Sequence, residues 1–195
     1  MMENAEKIAV QIAEIIGRME QESGKVPFLV AVDGRCASGK TTLAAKLKRL
    51  IACEVVHMDH FFLPPEMRTA KRLETPGENV DHERFLQEVL LPLHRGEEVS
   101  FRPFDCKKGD FGEVIRLEKQ KICVIEGTYA CHGSLREYYN LCIFMDVSPQ
   151  EQMRRIIVRN GESAAESFRS KWIPLEERYF EVFDIAGMCD YRFAT

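Results

Sequence analysis

The chain has 195 residues, 45% apolar and 30% charged, with a net charge of −4, the make-up of one globular domain able to bury a full core. The acidic balance argues against a nucleic-acid polymer or a membrane surface as partner, and no apolar run reaches the ~20 residues of a membrane span. Seven scattered cysteines without a Cys-x-x-Cys pair argue against a disulfide framework or a zinc site and for a reducing, cytoplasmic setting.

Ile8, Ile12, Ile15, Ile16 and Met19 recur at helical spacing and predict an amphipathic N-terminal helix over residues 1–24. The N-terminus carries Glu3 and Glu6 rather than the basic segment of a secretion signal. The apolar stripe suits core packing and a homo-oligomer contact equally well. Ser23-Gly24-Lys25-Val26-Pro27 ends the helix, and the apolar run 28–32 reads as a buried strand. Gly34-Arg35-Cys36-Ala37-Ser38-Gly39-Lys40-Thr41 then fits G-x-x-x-x-G-K-[ST], the phosphate-binding loop. Leu43, Leu47 and Leu50 give the next helix one apolar face, so residues 26–50 form the strand–loop–helix unit that the motif requires.

A polyphosphate needs many donors at close range and no side chains in the way. Gly34 and Gly39 let the backbone curl until successive N–H groups converge. The helix starting near Lys40 adds its unpaired N-terminal donors and the positive end of its dipole. Lys40 supplies a mobile charge for the β- and γ-phosphates, and the Thr41 hydroxyl is placed to ligate Mg²⁺. Thr42 offers a second hydroxyl to the α-phosphate or a cap to the helix. Cys36 fills a mid-loop position that needs a small residue; its other reading is a thiolate stabilised by the helix terminus.

Residues 54–58 read as a second strand stopping at Asp59, and the Pro-rich stretch 61–76 as irregular. Phe85, Leu86, Val89, Leu90 and Leu93 predict a helix with Pro92 near its end, followed by a β-hairpin pairing 99–102 with 114–117. Apolar strands follow at 122–125 and 141–145, then helices at 149–159 and from Pro174 to about residue 186. The polar segment 160–171 between them reads as a lid, and Trp172 packs on the adenine or in the core. The five histidines show no ligand spacing.

Strands alternating with helices predict an α/β fold: a phosphate-loop NTPase with three α/β/α layers and a mainly parallel sheet. Ligands of such sheets sit at the carboxyl ends of the strands. Asp59 and Glu126 stand at two of those ends and Thr41 beside a third, an all-oxygen set suited to Mg²⁺ directly or through water.

These segments resemble the uridine kinase and nicotinamide riboside kinase group of phosphate-loop small-molecule kinases, from about Val30 to Tyr191. His57-Met58-Asp59-His60-Phe61-Phe62 resembles the group's Asp-x-Phe-[Phe/Tyr] segment, which implies Asp59 as the base for the acceptor hydroxyl. Glu78-Asn79-Val80-Asp81-His82-Glu83-Arg84-Phe85 is similar to a stretch that implies a sugar contact for Asp81, with His82 near the substrate. Arg102-Pro103-Phe104-Asp105 resembles the group's P-x-Y-D, which implies substrate-side roles for Phe104 and Asp105. Val124-Ile125-Glu126-Gly127 and Phe144-Met145-Asp146 match two later strands. Two departures are Phe104 in place of Tyr, and Glu151 roughly where uridine kinases carry a sugar-binding Arg.

Arg154, Arg155 and Arg159 resemble lid arginines; Arg155 and Arg159, four apart, share a helix face and are the expected pair. The resemblance implies one kinase domain over 1–195, with a substrate-side insertion at 81–118 and a lid region at 150–173. It implies ATP-dependent phosphoryl transfer to the primary hydroxyl of a small molecule, a nucleoside or riboside 5′-OH. Asp59 would orient the hydroxyl and accept its proton, a role suited to a carboxylate of unperturbed pKa near ~4. The alternatives are a non-nucleoside acceptor such as pantothenate or a sugar, and a regulatory NTPase switch.

Overall fold

The structure, a computed structural model, describes residues 2–195; Met1, the first residue of the predicted N-terminal helix, lies outside the described residues, as do the side chains of Met2 and Glu3. Phe28–Gly34 (β1) is buried along its whole length, as the central strand of a sheet covered on both faces must be. The other strands of the sheet are Cys53–His57 (β2), Ile122–Glu126 (β3), Leu141–Asp146 (β4) and Tyr191–Ala194 (β5). They lie in the order β2-β3-β1-β4-β5, all parallel. The register sets Val32 and His57 on either side of Glu126, and Gly34 beside Met145. The ends of four strands therefore form one carboxyl edge.

Side chains of β1 alternate between two cores. Phe28, Val30 and Val32 face the helices Met2–Ser23 (α1) and Lys40–Leu50 (α2), with Ile8, Ile12, Ile15, Ile16, Leu43 and Leu47. Leu29 and Ala31 face the helical segment 82–95, with Phe85, Val89 and Leu90, and the helix Ile173–Val182, with Tyr179 and Phe180. Three layers result. The isoleucine stripe of α1 is spent on this core, each side chain contributing about 1.5–3 kcal/mol before entropy.

Beyond the sheet, Ser100–Phe101 pairs with Ile115–Arg116 and Phe104–Asp105 with Asp110–Phe111, antiparallel, as the hairpin was expected. The lid region departs from expectation. Pro149–Asn160 (α3) ends at Gly161, and residues 162–172 are helical: Glu162–Ser167, then a π-helical turn Phe168–Trp172 running into Ile173–Val182 (α4). Pro174 does not begin this helix. Its ring and missing N–H disturb the preceding turn, which widens instead of breaking. The π turn Leu86–Leu90 stands in the same relation to Pro92. Helix α4 also stops four residues before residue 186, at a left-handed Asp184 (φ 46°). The edge strand β5 was not expected.

Candidate active site

The loop between β1 and α2 turns through left-handed backbone at Ala37 (φ 59°) and Gly39 (φ 96°). Gly39 is the N-cap of α2 and has no side chain to cap with, so the first amides of the helix face the cleft rather than a capping group. Thr42 is therefore no cap; it lines the cleft. Lys40 is buried, its Nζ donating to Gly34 O at 2.7 Å, Arg35 O at 2.8 Å and Thr128 Oγ1 at 3.3 Å. The Arg35 guanidinium turns away to Asp146 and Glu177, so this residue can serve a phosphate through its backbone only.

Two buried carboxylates that sequence reasoning missed hold the loop. Asp33 accepts from the N–H groups of Gly34 (2.6 Å), Tyr129 (3.2 Å) and Cys131 (2.8 Å) and from the Tyr179 hydroxyl (2.8 Å). Glu176 Oε2 accepts the Cys36 N–H at 3.0 Å. Burial raises the pKa of both. Burial and the neighbouring Glu176 push the Cys36 thiol up to about 12, which overturns the thiolate reading and leaves Cys36 as filling.

Thr41, Asp59 and Glu126 come to one place. Thr41 Oγ1 donates to Glu126 Oε1 at 3.1 Å, and His57 Nδ1 lies 2.5 Å from the same oxygen. That hydrogen bond raises the His57 pKa; His57 carries no motif, and only its place at the end of β2 could have flagged it. Asp59 is open to the cleft, yet desolvation and then the charge of Glu126 raise its pKa. The expectation of an unperturbed carboxylate is corrected: two acids at close quarters penalise each other's charge. Two mutually repelling carboxylates and a hydroxyl, all hard oxygen donors, fit a divalent cation such as Mg²⁺.

Of the three arginines, Arg155 and Arg159 line the cleft and Arg154 does not. Arg155 donates to Ala37 O at 3.1 Å and to Thr195 Oγ1 at 2.8 Å, tying α3 to the loop. Glu151 grips both Arg154 and Arg155, which hold its carboxyl at about 2. It is thereby held in the first turn of α3. Trp172 also lines the cleft, under Lys171, and is absent from both cores, so of its two expected placements it does not take the core. The cleft encloses about 880 Å³, ample for a nucleotide and a small acceptor.

No protein-family model matches the sequence. The chain is 26% identical over 170 residues to a uridine kinase of Chloroflexus aurantiacus, covering 80% of this chain and 81% of that one. It is 28% identical over 141 residues to a cytidylate kinase of Pyrobaculum arsenaticum, covering 72% of this chain and 65% of that one. Its fold matches a solved structure described as a possible uridine kinase from Bacillus stearothermophilus, with a TM-score of 0.66 at 17% identity, over 94% of this chain and 99% of that one. The chain is thus similar in sequence to proteins named uridine kinase and in fold to a solved structure so described.

On the acceptor side of this cleft, four residues with expected substrate roles are engaged elsewhere. Asp81 is a buried N-cap: Oδ1 accepts the Arg84 N–H at 3.0 Å, and Oδ2 lies 3.4 Å from Arg84 Nε. Asp105 Oδ1 accepts the Lys107 and Lys108 N–H groups and closes the hairpin turn. Phe104 packs on Phe111. His82 stacks on His132 with ring centroids 4.1 Å apart, and its Nε2 lies 3.0 Å from Glu78 Oε1. Glu78, His82 and His132 thus cluster without any spacing to announce it. Ser134 closes the network: its N–H donates to His132 Nδ1, which leaves the proton on Nε2, and burial takes His132 down to about 4. Phe62, Leu63, Arg68, Leu73, Asn79 and Tyr129 line this wall instead.

Proposed function

We propose that the chain is an ATP- and Mg²⁺-dependent phosphotransferase acting on the primary hydroxyl of a small molecule of the nucleoside or riboside class. One observation carries this reading: the phosphate loop, a Thr41–Glu126 hydrogen bond and the Asp59 carboxylate share one cleft at the carboxyl edge of the sheet. The kinase names of the relatives support it.

Phosphoryl transfer has a loose transition state, so catalysis is positioning plus charge neutralisation. The amides at the start of α2 and Lys40 cradle the β- and γ-phosphates, and Arg155 and Arg159 approach from the lid side. Thr41, Asp59 and Glu126 would hold the magnesium ion, which supplies neutralisation of charge at the bridge between those phosphates. Asp59 orients the acceptor hydroxyl and takes up its proton. Helix α3 and residues 162–172 form a lid that excludes water. The seven free cysteines suit a reducing cytoplasm.

The test is an ADP-release screen across nucleosides, nicotinamide riboside, pantothenate and sugars. Acceptor-stimulated turnover is expected. Slow hydrolysis indifferent to every acceptor would point instead to a nucleotide switch.

A further inference from the structure

Arg68 follows the short turn Pro65–Met67 and donates through Nε to Leu63 O at 2.8 Å, which fixes the plane of its guanidinium. Nη2 lies 3.8 Å from Cys106 Sγ, and the guanidinium carbon stands 5.9 Å from the centre of the Phe104 ring. Arg68, Cys106 and Asp59 all line the one cleft. Among the described residues no carboxylate oxygen lies within 4.0 Å of Arg68. The other cations of the cleft are accounted for elsewhere. Lys46 pairs with Glu6 and Arg155 with Glu151, Lys40 is inside the loop, and Arg159 and Lys171 belong to the lid region. Among the cleft-lining cations of the described residues, Arg68 alone has neither a carboxylate partner nor a place in the phosphate loop or the lid region.

An unpaired arginine in open water needs no explanation. This one, though exposed, lines the same cleft as Asp59, so an acceptor that fills the cleft would cover it. A neutral acceptor would strip water from the charge and return nothing. An acceptor ending in an oxyanion would take the flat fork of Arg68 in two parallel hydrogen bonds.

We propose that Arg68 is the specificity residue of the acceptor subsite and selects small alcohols that carry a carboxylate or phosphate away from the reacting hydroxyl. The inference rests on the reading of the cleft as a phosphoryl-transfer site and narrows its substrate class. It is tested with matched pairs differing at one group: nicotinate riboside against nicotinamide riboside, orotidine against uridine, pantothenate against pantetheine, and uridine 3′-monophosphate against uridine. Two quantities are measured, kcat/KM from ADP release, and affinity by calorimetry in the presence of a non-hydrolysable ATP analogue.

The anionic member of at least one pair is expected to be favoured about tenfold or more, the worth of one charge-assisted contact. Arg68→Gln is expected to abolish that preference and Arg68→Lys, which keeps the charge but not the fork, to retain part of it. The carboxylate and phosphate pairs tell the two oxyanions apart. Should Arg68→Gln fail to fold, as judged by its melting curve, the Lys variant decides alone. The proposal is overturned if no anionic member is favoured in either measurement, or if the preference survives both substitutions. Arg68-dependent binding without turnover would keep the subsite and remove the transfer reading. Turnover of neutral nucleosides indifferent to Arg68 would do the reverse.

Discussion

Gly34→Ala tests whether a close backbone approach builds the phosphate loop. Gly34 has φ 135°, and a Cβ placed on it would stand 2.0 Å from Met145 O, where about 3 Å is the least that real contacts show. Met145 O also accepts the Arg35 N–H at 3.2 Å, so a shift that makes room breaks this bond. Strain at the positive φ costs about 1–3 kcal/mol. Overpacking adds about 1–3 kcal/mol and the lost hydrogen bond about 0.5–1.5 kcal/mol. With partial relief by relaxation, a loss of about 3–6 kcal/mol is expected, or roughly 6–20 °C in Tm for a chain of this size. The internal control is Gly24→Ala. Gly24 has φ 61° and nothing within 4 Å of an added Cβ, so only the left-handed cost of about 1–2 kcal/mol applies. Both variants are to be unfolded in urea, followed by circular dichroism and Trp172 fluorescence, and titrated with a fluorescent ATP analogue. If Gly34→Ala loses no more stability than Gly24→Ala and binds nucleotide normally, contact with Met145 is not the reason for glycine there.

Asp59→Asn is expected to cut turnover at least ~100-fold while nucleotide affinity stays within ~threefold; near-normal turnover would remove Asp59 as the base. Because the folded chain holds the Asp59 proton more tightly than the unfolded one, ionising it as pH rises above ~4 costs stability. The same variant should therefore melt higher than the parent at pH 7 and alike below pH ~4, and a lower melting point at pH 7 contradicts this sign. Asp33→Ala orphans three N–H groups and the Tyr179 hydroxyl, for an expected loss of roughly 3–5 kcal/mol in urea unfolding; a loss under ~1 kcal/mol would mean water replaces the carboxylate. With the Cys36 thiol pushed up to about 12, iodoacetamide at pH 8 is expected to label the exposed Cys106 first and leave nucleotide affinity intact. Early labelling of Cys36 in a mass-spectrometric time course would show otherwise.

The sheet was legible because three of its strands are continuous apolar runs, which burial on both faces accommodates, and the shorter run before Asp59 marked a fourth. Strand β5 was not, since Tyr191–Ala194 alternates half-buried and exposed residues over four positions at a sheet edge. Residues 162–172 read as loop because they are polar, although Ala164 and Ala165 favour a helix and the π turn reconciles them with Pro174. The phosphate loop was found by its motif, and Asp59 and Glu126 through strand ends. Asp33, Glu176 and Arg68 were not, because each acquires its role from partners that no local pattern reveals. Asp81 and Asp105 show the converse: short polar side chains near helix and turn starts are taken first by backbone donors.

Asp33 also says something about the order of events in biosynthesis. Its carboxylate is satisfied by residues 96, 98 and 146 positions downstream, the last being Tyr179. A nascent chain emerging from the ribosome completes the glycine-rich motif early, at a few residues per second. Asp33 keeps its water until Tyr129, Cys131 and Tyr179 have been made, and its site beneath the motif closes only when helix α4 docks. The support under the loop is thus completed only after more than nine-tenths of the 195 residues have been made.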